Sequence, residues 1–165
     1  MFLLALVQLE NQLKSNMSTI NINKDLRIEF ASLDAETIFT LSKDENHSLA
    51  LNKVGGEKLV TINIEEDSTL NLSLLADSSI KNLKLTANLG KNAKLIVYFA
   101  DFSTEVNNTE VVINLNDENA EASWKLASLS SRQDKKNIFV SVLHNSPSTF
   151  AKVDNYGVAK DSSKL

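Results

Sequence analysis

The chain has 165 residues, 42% of them hydrophobic, which is enough to bury one core and predicts one main folded domain. Seventeen Lys and Arg against 21 Asp and Glu give a formal charge of −4, and this mild acidity argues against a nucleic-acid-binding module, since such modules concentrate basic residues. Cysteine is absent, which excludes disulfides, thiolate metal sites and a cysteine nucleophile, and no apolar run reaches the ~18 residues that span a bilayer.

The first segment of the chain is predicted to be a short amphipathic helix over Met1–Lys14. Four apolar residues are spaced by four, three and four positions, which places them on one helical face: Phe2, Leu6, Leu9 and Leu13. An export signal is the alternative, but no basic residue precedes the apolar run, which is only six residues long. We expect a helical extension over residues 1–16, followed by a core domain over residues 17–165.

From residue 17 onward the sequence alternates between apolar and polar residues in one segment after another. In chain order these segments are STININ, LRIEF, ETIFTLS, HSLALNKV, LVTINI, LNLSLL, LKLTANL, AKLIVYF, EVVINL, ASWKLASL, NIFVSVL and TFAKVDNY. They are rich in the β-branched and aromatic residues that half-buried strands prefer. With one proline and four glycines, two of them in the Gly55–Gly56 turn, most turns depend on Asn, Asp and Ser. The pattern predicts an all-β protein.

The second half of the chain repeats a plan of strand, polar turn and strand. The apolar residue before each turn falls at Ile64, Leu89, Leu115 and Leu143, in steps of 25, 26 and 28 residues. Periods of 20 to 50 residues are typical of stacked units that bury their apolar faces against neighbours. We predict a right-handed parallel β-helix (a β-solenoid) with Leu89, Leu115 and Leu143 in one interior column. An antiparallel β-sandwich or meander remains the alternative, because hairpins also produce strand–turn–strand.

The two histidines and two of the aromatic residues are interpreted as structural residues. His47 and His144 are nearly a hundred residues apart and lack the close spacing of metal-binding motifs, so we interpret His144 as a turn or surface residue. Trp124 and Phe99 occupy apolar positions of strands and are predicted to be core residues. We therefore predict no catalytic, cofactor-binding or metal-binding residue in this chain.

Three charged segments are predicted to be solvated turns or loops. Glu65–Asp67 and Asp117–Glu118 fall at corresponding turns and could form a calcium site or an acid–base pair, but Lys91 in the intervening turn interrupts the acidic series. The densest basic stretch, Ser131–Lys136, is interrupted by Asp134 and has no interleaved aromatic residue, so we interpret it as a solvent-exposed loop. The sequence has no glycine-rich phosphate loop, so any ATP chemistry must belong to a partner.

The C-terminal part of the chain resembles the SUF iron–sulfur assembly scaffolds, the SufB/SufD-like proteins, and SufD more closely. The resemblance covers about residues 60–163 and includes the segment KLTANLGKNAKLIV. The positions that carry it are Trp124 on an aromatic strand, His144 and Asn145 at a strand end, Ser148 and Thr149 after the turn, and YGVAKDSS at Tyr156–Ser163.

That resemblance implies a right-handed parallel β-helix and a cytoplasmic, non-catalytic scaffold. Such proteins pair with a SufB/SufD-like sister scaffold as homodimers or heterodimers, dock a SufC-like ABC ATPase and receive sulfur indirectly from a cysteine desulfurase. In the family the residues tied to cluster assembly lie in later coils, so none is transferred to this sequence. We therefore expect the complex to assemble the cluster, with no cofactor bound by this chain and with neither nucleic acid nor membrane as a partner. A stand-alone β-solenoid that binds a surface or a saccharide is the alternative.

The resemblance also implies a chain that stops inside its β-helix. We expect Met1–Lys14 to cover the first coil, and the last coil to be uncovered. Self-association is then expected through the C-terminal end, with Phe139, Val142 and Phe150 nearest the exposed core.

Overall fold

The computed structural model describes residues 17–164, and within them the chain forms twelve strands and one short 3-10 helix. The strands are β1 (Met17–Ile22), β2 (Leu26–Glu29), β3 (Glu36–Leu41), β4 (Asn46–Asn52), β5 (Gly56–Ile64), β6 (Thr69–Ala76), β7 (Ile80–Leu89), β8 (Lys94–Asp101), β9 (Val106–Leu115), β10 (Glu121–Ser130), β11 (Lys135–His144) and β12 (Phe150–Ala159). The 3-10 helix, Phe30–Ser32, follows β2. The predicted helix over Met1–Lys14 lies outside the described residues.

Successive strands alternate between two sheets of six strands each within residues 17–164. The odd sheet has the order β1-β3-β5-β7-β9-β11, and the even sheet has the order β2-β4-β6-β8-β10-β12. Strands pair in parallel with the equivalent strand of the next coil, as β7 does with β9. Each coil therefore consists of one odd strand, a turn, one even strand and a second turn. The prediction of a parallel β-helix is confirmed, and the antiparallel alternative is wrong.

The core lies between the two sheets and consists of the inward-facing half of each alternating strand. In β6, for example, Leu70, Leu72 and Leu74 are buried, while the residues between them face outward. Trp124 and Phe99 are buried neighbours with ring centroids 6.0 Å apart in an edge-on arrangement. The Trp124 Nε1–H donates a hydrogen bond to Asn155 Oδ1 at 3.1 Å. Both aromatic residues are core residues, as the sequence predicted.

The predicted interior column of Leu89, Leu115 and Leu143 is correct for Leu89 and Leu115 and wrong for Leu143. Ile64 pairs with Leu89, and Leu89 pairs with Leu115, all of them buried. Leu143 pairs with Asn114 and is 44% exposed, whereas His144 occupies the register position opposite Leu115. β11 ends in the same register as β9, but its last inward-facing position carries His144, so Leu143, the apolar residue nearest the turn, faces outward.

The last coil differs from the expected arrangement at its two phenylalanines. Val142 belongs to the inward-facing set of β11 and packs partly against the core, as predicted. Phe139 and Phe150 were predicted to lie nearest the exposed core, but they occupy outward-facing positions and are 64% and 60% exposed. The alternation of side chains along a strand explains the error, because Phe139 is an odd number of residues from the inward-facing Val142.

Asparagine and aspartate residues shape the turns that follow the odd strands. Asp67, Asn92 and Asn119 occupy equivalent turn positions with φ between 56° and 59°, in the left-handed region that these residue types tolerate best after glycine. Their side chains bond from coil to coil, since the Asn92 amide donates to Asp67 at 2.7 Å and the Asn119 amide donates to Asn92 at 3.1 Å. Asn and Asp therefore replace most of the glycines that such turns usually require.

A second ladder of side-chain amides runs across the odd sheet. Asn88 Nδ2 donates to Asn63 Oδ1, and Asn114 Nδ2 donates to Asn88 Oδ1, both at 2.9 Å. The three residues pair in register on β5, β7 and β9. Each amide lies directly over the next because the coils stack without a shift at these positions.

Asn88 is expected to contribute most to this ladder because it takes part in two of its hydrogen bonds. Replacing it (Asn88→Ala) should lower the free energy of unfolding by about 1–3 kcal/mol, from two bonds of roughly 0.5–1.5 kcal/mol each. Asn71→Ala, at an exposed position of β6, is the matched control and should change the free energy little. Urea denaturation followed by circular dichroism measures both, and equal effects of the two substitutions would contradict a role for the ladder.

Candidate functional site

Polar residues occupy the interior of the β-helix at one corner, where β8 and β10 turn toward β9 and β11. The residues of this polar corner are Asp101, Ser103, Asn107, Thr109, Ser128, Ser130, Asp134 and Lys136, all of them buried. Asp101 pairs in register with Ser128, and Asn107 pairs with Lys136, so equivalent inward positions of neighbouring coils are polar together. The remainder of the interior is mainly aliphatic and aromatic.

A buried ion pair lies at the centre of the polar corner. Lys136 Nζ is 3.1 Å from Asp101 Oδ2, and the two side chains are 1% and 0% exposed. The ammonium also donates to the carbonyl oxygens of Leu129 at 2.6 Å and Asp101 at 3.4 Å. The other side of the carboxylate accepts hydrogen bonds from the Ser103 backbone N–H and hydroxyl, and Ser128 Oγ donates to Oδ2 at 2.6 Å. Both charges are therefore paired and hydrogen-bonded, as stable burial requires.

Asp134 fixes the turn before β11 by accepting two backbone hydrogen bonds. The N–H of Ser131 donates to one carboxylate oxygen at 2.9 Å, and the N–H of Glu105, one coil earlier, donates to the other at 2.8 Å. These two bonds lower the pKa of Asp134 from its ordinary value, and the positive charges of Lys136 and Arg132 add to the effect. The carboxylate thus joins two successive coils in its ionised form.

A small cavity lies beside the ion pair and between the last two coils. It has a volume of about 220 Å³, and the polar groups among its lining residues include Ser128, Lys136, Asn155 and Tyr156. Because Asp101 neutralises Lys136, the polar wall offers hydroxyl and amide groups rather than a net positive charge. Among the buried side-chain nitrogen and oxygen atoms of residues 17–164, the Nδ2 of Asn107 has no hydrogen-bond partner, while its Oδ1 accepts a hydrogen bond from Thr109 Oγ1 at 2.6 Å.

The structure does not bring the two histidines together. His47, on β4, lies with its Nε2 2.7 Å from Glu45 Oε2 and is mostly buried. His144, at the end of β11, is exposed, and its Nδ1 lies 2.7 Å from Thr149 Oγ1 across the turn. Several coils separate them, and in the described part of the chain no group of three or more His, Cys, Asp or Glu residues has a metal-binding arrangement.

The acidic turn residues line an open surface groove of about 450 Å³ together with lysines. Glu66 forms an ion pair with Lys43 at 2.9 Å, and this hydrogen bond raises the pKa of Lys43. Glu65, Lys91 and Asp117 line the same groove. Carboxylates and ammonium groups thus alternate along it, which favours the interpretation as solvated turns.

The interpretation of Ser131–Lys136 as a solvent-exposed loop is wrong for two of its residues. Asp134 and Lys136 are buried in the polar corner, and Lys135 and Lys136 already belong to β11. The sequence contained one signal that was missed: Asp101, Asn107 and Lys136 fall at inward positions of their strands, where the alternation calls for apolar residues.

Comparison with known proteins settles the family. The family model described as "SUF system FeS cluster assembly, SufBD core domain" matches residues 40–165, which is more than half of the chain. This chain belongs to the SufBD core domain family. No curated protein and no solved structure matches it.

Membership places this SufBD core in SUF-system iron–sulfur cluster assembly. Clusters are the cargo of that system and are normally held by cysteine thiolates, none of which this sequence supplies. Within residues 17–164 no helix is long and apolar enough to cross a membrane.

Removing one partner of the buried ion pair should destabilise the fold strongly. Lys136→Met leaves the Asp101 carboxylate buried without its counterion and should lower the free energy of unfolding by about 3–5 kcal/mol. In the double variant Asp101→Asn/Lys136→Met no charge is buried and the amide oxygen still accepts from the serines, so most of the loss should be recovered. Guanidinium denaturation of both variants tests this. A double variant as unstable as Lys136→Met would show that charge compensation is not what the pair provides.

The contribution of Asp134 to stability should depend on pH. Because its pKa is lower in the folded than in the unfolded state, its stabilising effect is complete above the ordinary carboxyl pKa of about 4 and disappears as pH falls through the folded-state value. Asp134→Asn should therefore be less stable than the parent protein at pH 7, and the difference should shrink below about pH 4. Thermal melts between neutral and acidic pH measure it, with the exposed Asp77→Asn as control. A difference that does not change with pH would contradict the prediction.

Proposed function

We propose that this chain is a non-catalytic scaffold subunit of a SUF-type iron–sulfur assembly complex, closer in role to SufD than to SufB. The observation that carries the proposal is the family match over residues 40–165, which coincides with a stack of parallel coils. The absence of cysteine from the sequence favours the SufD-like role, because a scaffold without thiolates contributes to assembly by binding partners rather than by ligating the cluster.

The partners in this proposal are a SufB/SufD-like sister scaffold, as homodimer or heterodimer, and a SufC-like ABC ATPase. A cysteine desulfurase supplies sulfur indirectly. The sequence has no glycine-rich phosphate loop, so the ATPase provides the nucleotide chemistry. We place the complex in the cytoplasm, with no cofactor resident in this chain and no contact with nucleic acid or membrane.

Exposed apolar side chains on the last coils support a protein-binding role. The outward-facing residues of β11 and β12 include Phe139, Leu143, Phe150, Tyr156 and Val158, all of them exposed. Tyr156, the most exposed, is 69% accessible. These residues lie on the outer faces of the two sheets at the same end of the stack. Exposed apolar residues often mark protein interfaces, in which aromatic residues carry much of the binding energy.

Co-expression of the chain with its sister scaffold and ABC ATPase tests the proposal. We expect a stable complex in affinity purification and light scattering, and iron and sulfide that copurify with the complex after anaerobic reconstitution. The double variant Phe139→Ser/Tyr156→Ser should weaken the complex by about tenfold or more, since each aromatic anchor contributes on the order of 1–2 kcal/mol.

The matched control is Leu59→Ser, which removes an exposed apolar residue from β5 and should leave the complex intact. A chain that binds neither partner, or that binds a stoichiometric cluster on its own, would contradict the scaffold role. Failure to bind these partners is also what the stand-alone β-solenoid alternative predicts.

A further inference from the structure

Two adjacent rows of outward-facing residues make the outer face of the even sheet apolar near the ends of its strands. In the first row the residues pair in register across β6, β8, β10 and β12. In the second row Leu129 pairs with Val158, and Phe102 follows Asp101, the register partner of Ser128. We call the seven residues of these rows the outer-sheet patch: Leu75, Ala100, Ala127 and Tyr156 in the first row, and Phe102, Leu129 and Val158 in the second.

The outer-sheet patch is extensive enough to support a protein interface. Its five large side chains are between 40% and 69% exposed. At roughly 150–250 Å² for a fully exposed residue of this size, the patch presents roughly 500 Å² of apolar surface. The largest apolar patch of a typical single protein is about 300–600 Å², and patches of this size often bind another molecule.

The outer face of the odd sheet is more polar in the same coils. Asn137 Nδ2 donates a hydrogen bond to Asn108 Oδ1 at 3.1 Å, and Glu110 forms an ion pair with Lys84 at 3.3 Å. Phe139, the exposed aromatic residue of β11, pairs in register with Glu110 and therefore has a charged neighbour. Adjacent rows of apolar residues thus distinguish the even sheet.

We propose that the outer-sheet patch packs against the same patch of a second copy of this chain and forms a two-fold symmetric dimer. A standard interface buries about 800 Å² per partner, of which about 56–65% is apolar, so each copy must supply about 450–520 Å² of apolar surface. The exposed area of the patch agrees with this requirement. The two even sheets then face each other about 10 Å apart, as the sheets of a β-sandwich do.

The shape of the outer-sheet patch is complementary to itself. Ala100 and Ala127 pair in register and form a shallow depression, because their side chains are short. The larger side chains of Phe102 and Tyr156 border this depression on β8 and β12. A two-fold interface places the same surface on both sides, so an aromatic ring of one copy has space above the alanines of the other.

Charges at the border of the patch do not oppose the approach of a second copy. Lys125 and Asp154 pair in register in the adjoining row, and the Lys125 ammonium lies 5.1 Å from the centre of the Tyr98 ring. Asp154 also forms an ion pair with Lys152 at 2.8 Å. The border therefore carries both signs of charge, and these can attract the opposite charges of the second copy.

Dimer formation is a property of this chain alone and goes beyond the proposed function, so it is tested without the SUF partners. Light scattering of the full chain at about 100 µM should give the mass of a dimer, since interfaces of this size have dissociation constants of about micromolar or lower. Ala127→Lys introduces bulk and charge at the centre of the patch without removing a packed side chain. It should raise the dissociation constant by about 100-fold or more, because a charge would be buried without a partner, and should leave the thermal melt unchanged.

Two control variants place the same lysine on the outer face of the odd sheet. Ser141→Lys is matched to Ala127→Lys, because Ser141 is a small outward-facing residue of β11. Phe139→Lys removes an exposed aromatic residue from the last coil and distinguishes the patch from association through the end of the stack. Both variants should remain dimers. A parent chain that is monomeric, or a dimer that is disrupted by Phe139→Lys and not by Ala127→Lys, would overturn the proposal.

Alkylation of a single thiol provides a second readout, because the sequence has no cysteine of its own. Iodoacetamide should modify Ala127→Cys about fivefold more slowly at about 100 µM protein than at about 0.1 µM, since the dimer covers the patch only at the higher concentration. Ser141→Cys should react at the same rate at both concentrations.

Two other patterns of protection would assign the patch to a different occupant and overturn the proposal. Protection of Ala127→Cys at every concentration would assign the patch to another segment of the same chain. Protection only when a sister scaffold is added would assign it to that partner. Failure of the dimer leaves the proposed scaffold role intact, because that role is tested by complex formation with the sister scaffold and the ABC ATPase.

Discussion

Coils of this protein are joined by parallel strand pairing between equivalent segments, and that pairing fixes which side chains lie above one another. A residue on β7 pairs with one particular residue on β5 and another on β9, so an inward position in one coil is inward in the next. The sequence must therefore satisfy the same requirement about every 25 residues. The aliphatic column that contains Leu89, the amide ladder that contains Asn88 and the polar corner around Asp101 all follow from it.

The polar corner shows that stacked positions must be chemically compatible between coils, and that they need not all be apolar. A lysine inside a β-helix is unfavourable unless its charge is compensated, and Lys136 has a carboxylate and two carbonyl oxygens within hydrogen-bonding distance. Those partners come from the neighbouring coil and from the preceding strand. Polar residues are therefore tolerated in the interior where adjacent coils supply hydrogen-bonding partners at the same corner. The residue types at such a corner then depend on two neighbouring coils together.

Sequence patterns were sufficient for the strands, for the parallel β-helix and for the burial of Trp124, because period-2 alternation and a repeat near 25 residues are properties of the chain itself. They were insufficient where the orientation of a side chain depends on the exact register or where its burial depends on a distant partner. The last inward-facing position of β11 carries His144, so the neighbouring Leu143 faces outward and not inward as predicted. The burial of Lys136 depends on Asp101, which is 35 residues away, and a pattern of hydrophobicity does not report such a partnership.

Residues paired between neighbouring coils are only 19 to 29 positions apart in the sequence, and this has a consequence for how the protein acquires its structure. Met17 pairs with Glu36, Ile64 with Leu89 and Leu115 with His144, so each new coil closes a loop of about the same modest length however long the stack has become. The entropic cost of loop closure grows only with the logarithm of loop length, so it is nearly the same for every coil. A folded coil is then a template on which the next can form, and the structure can grow in either direction from whichever coil forms first.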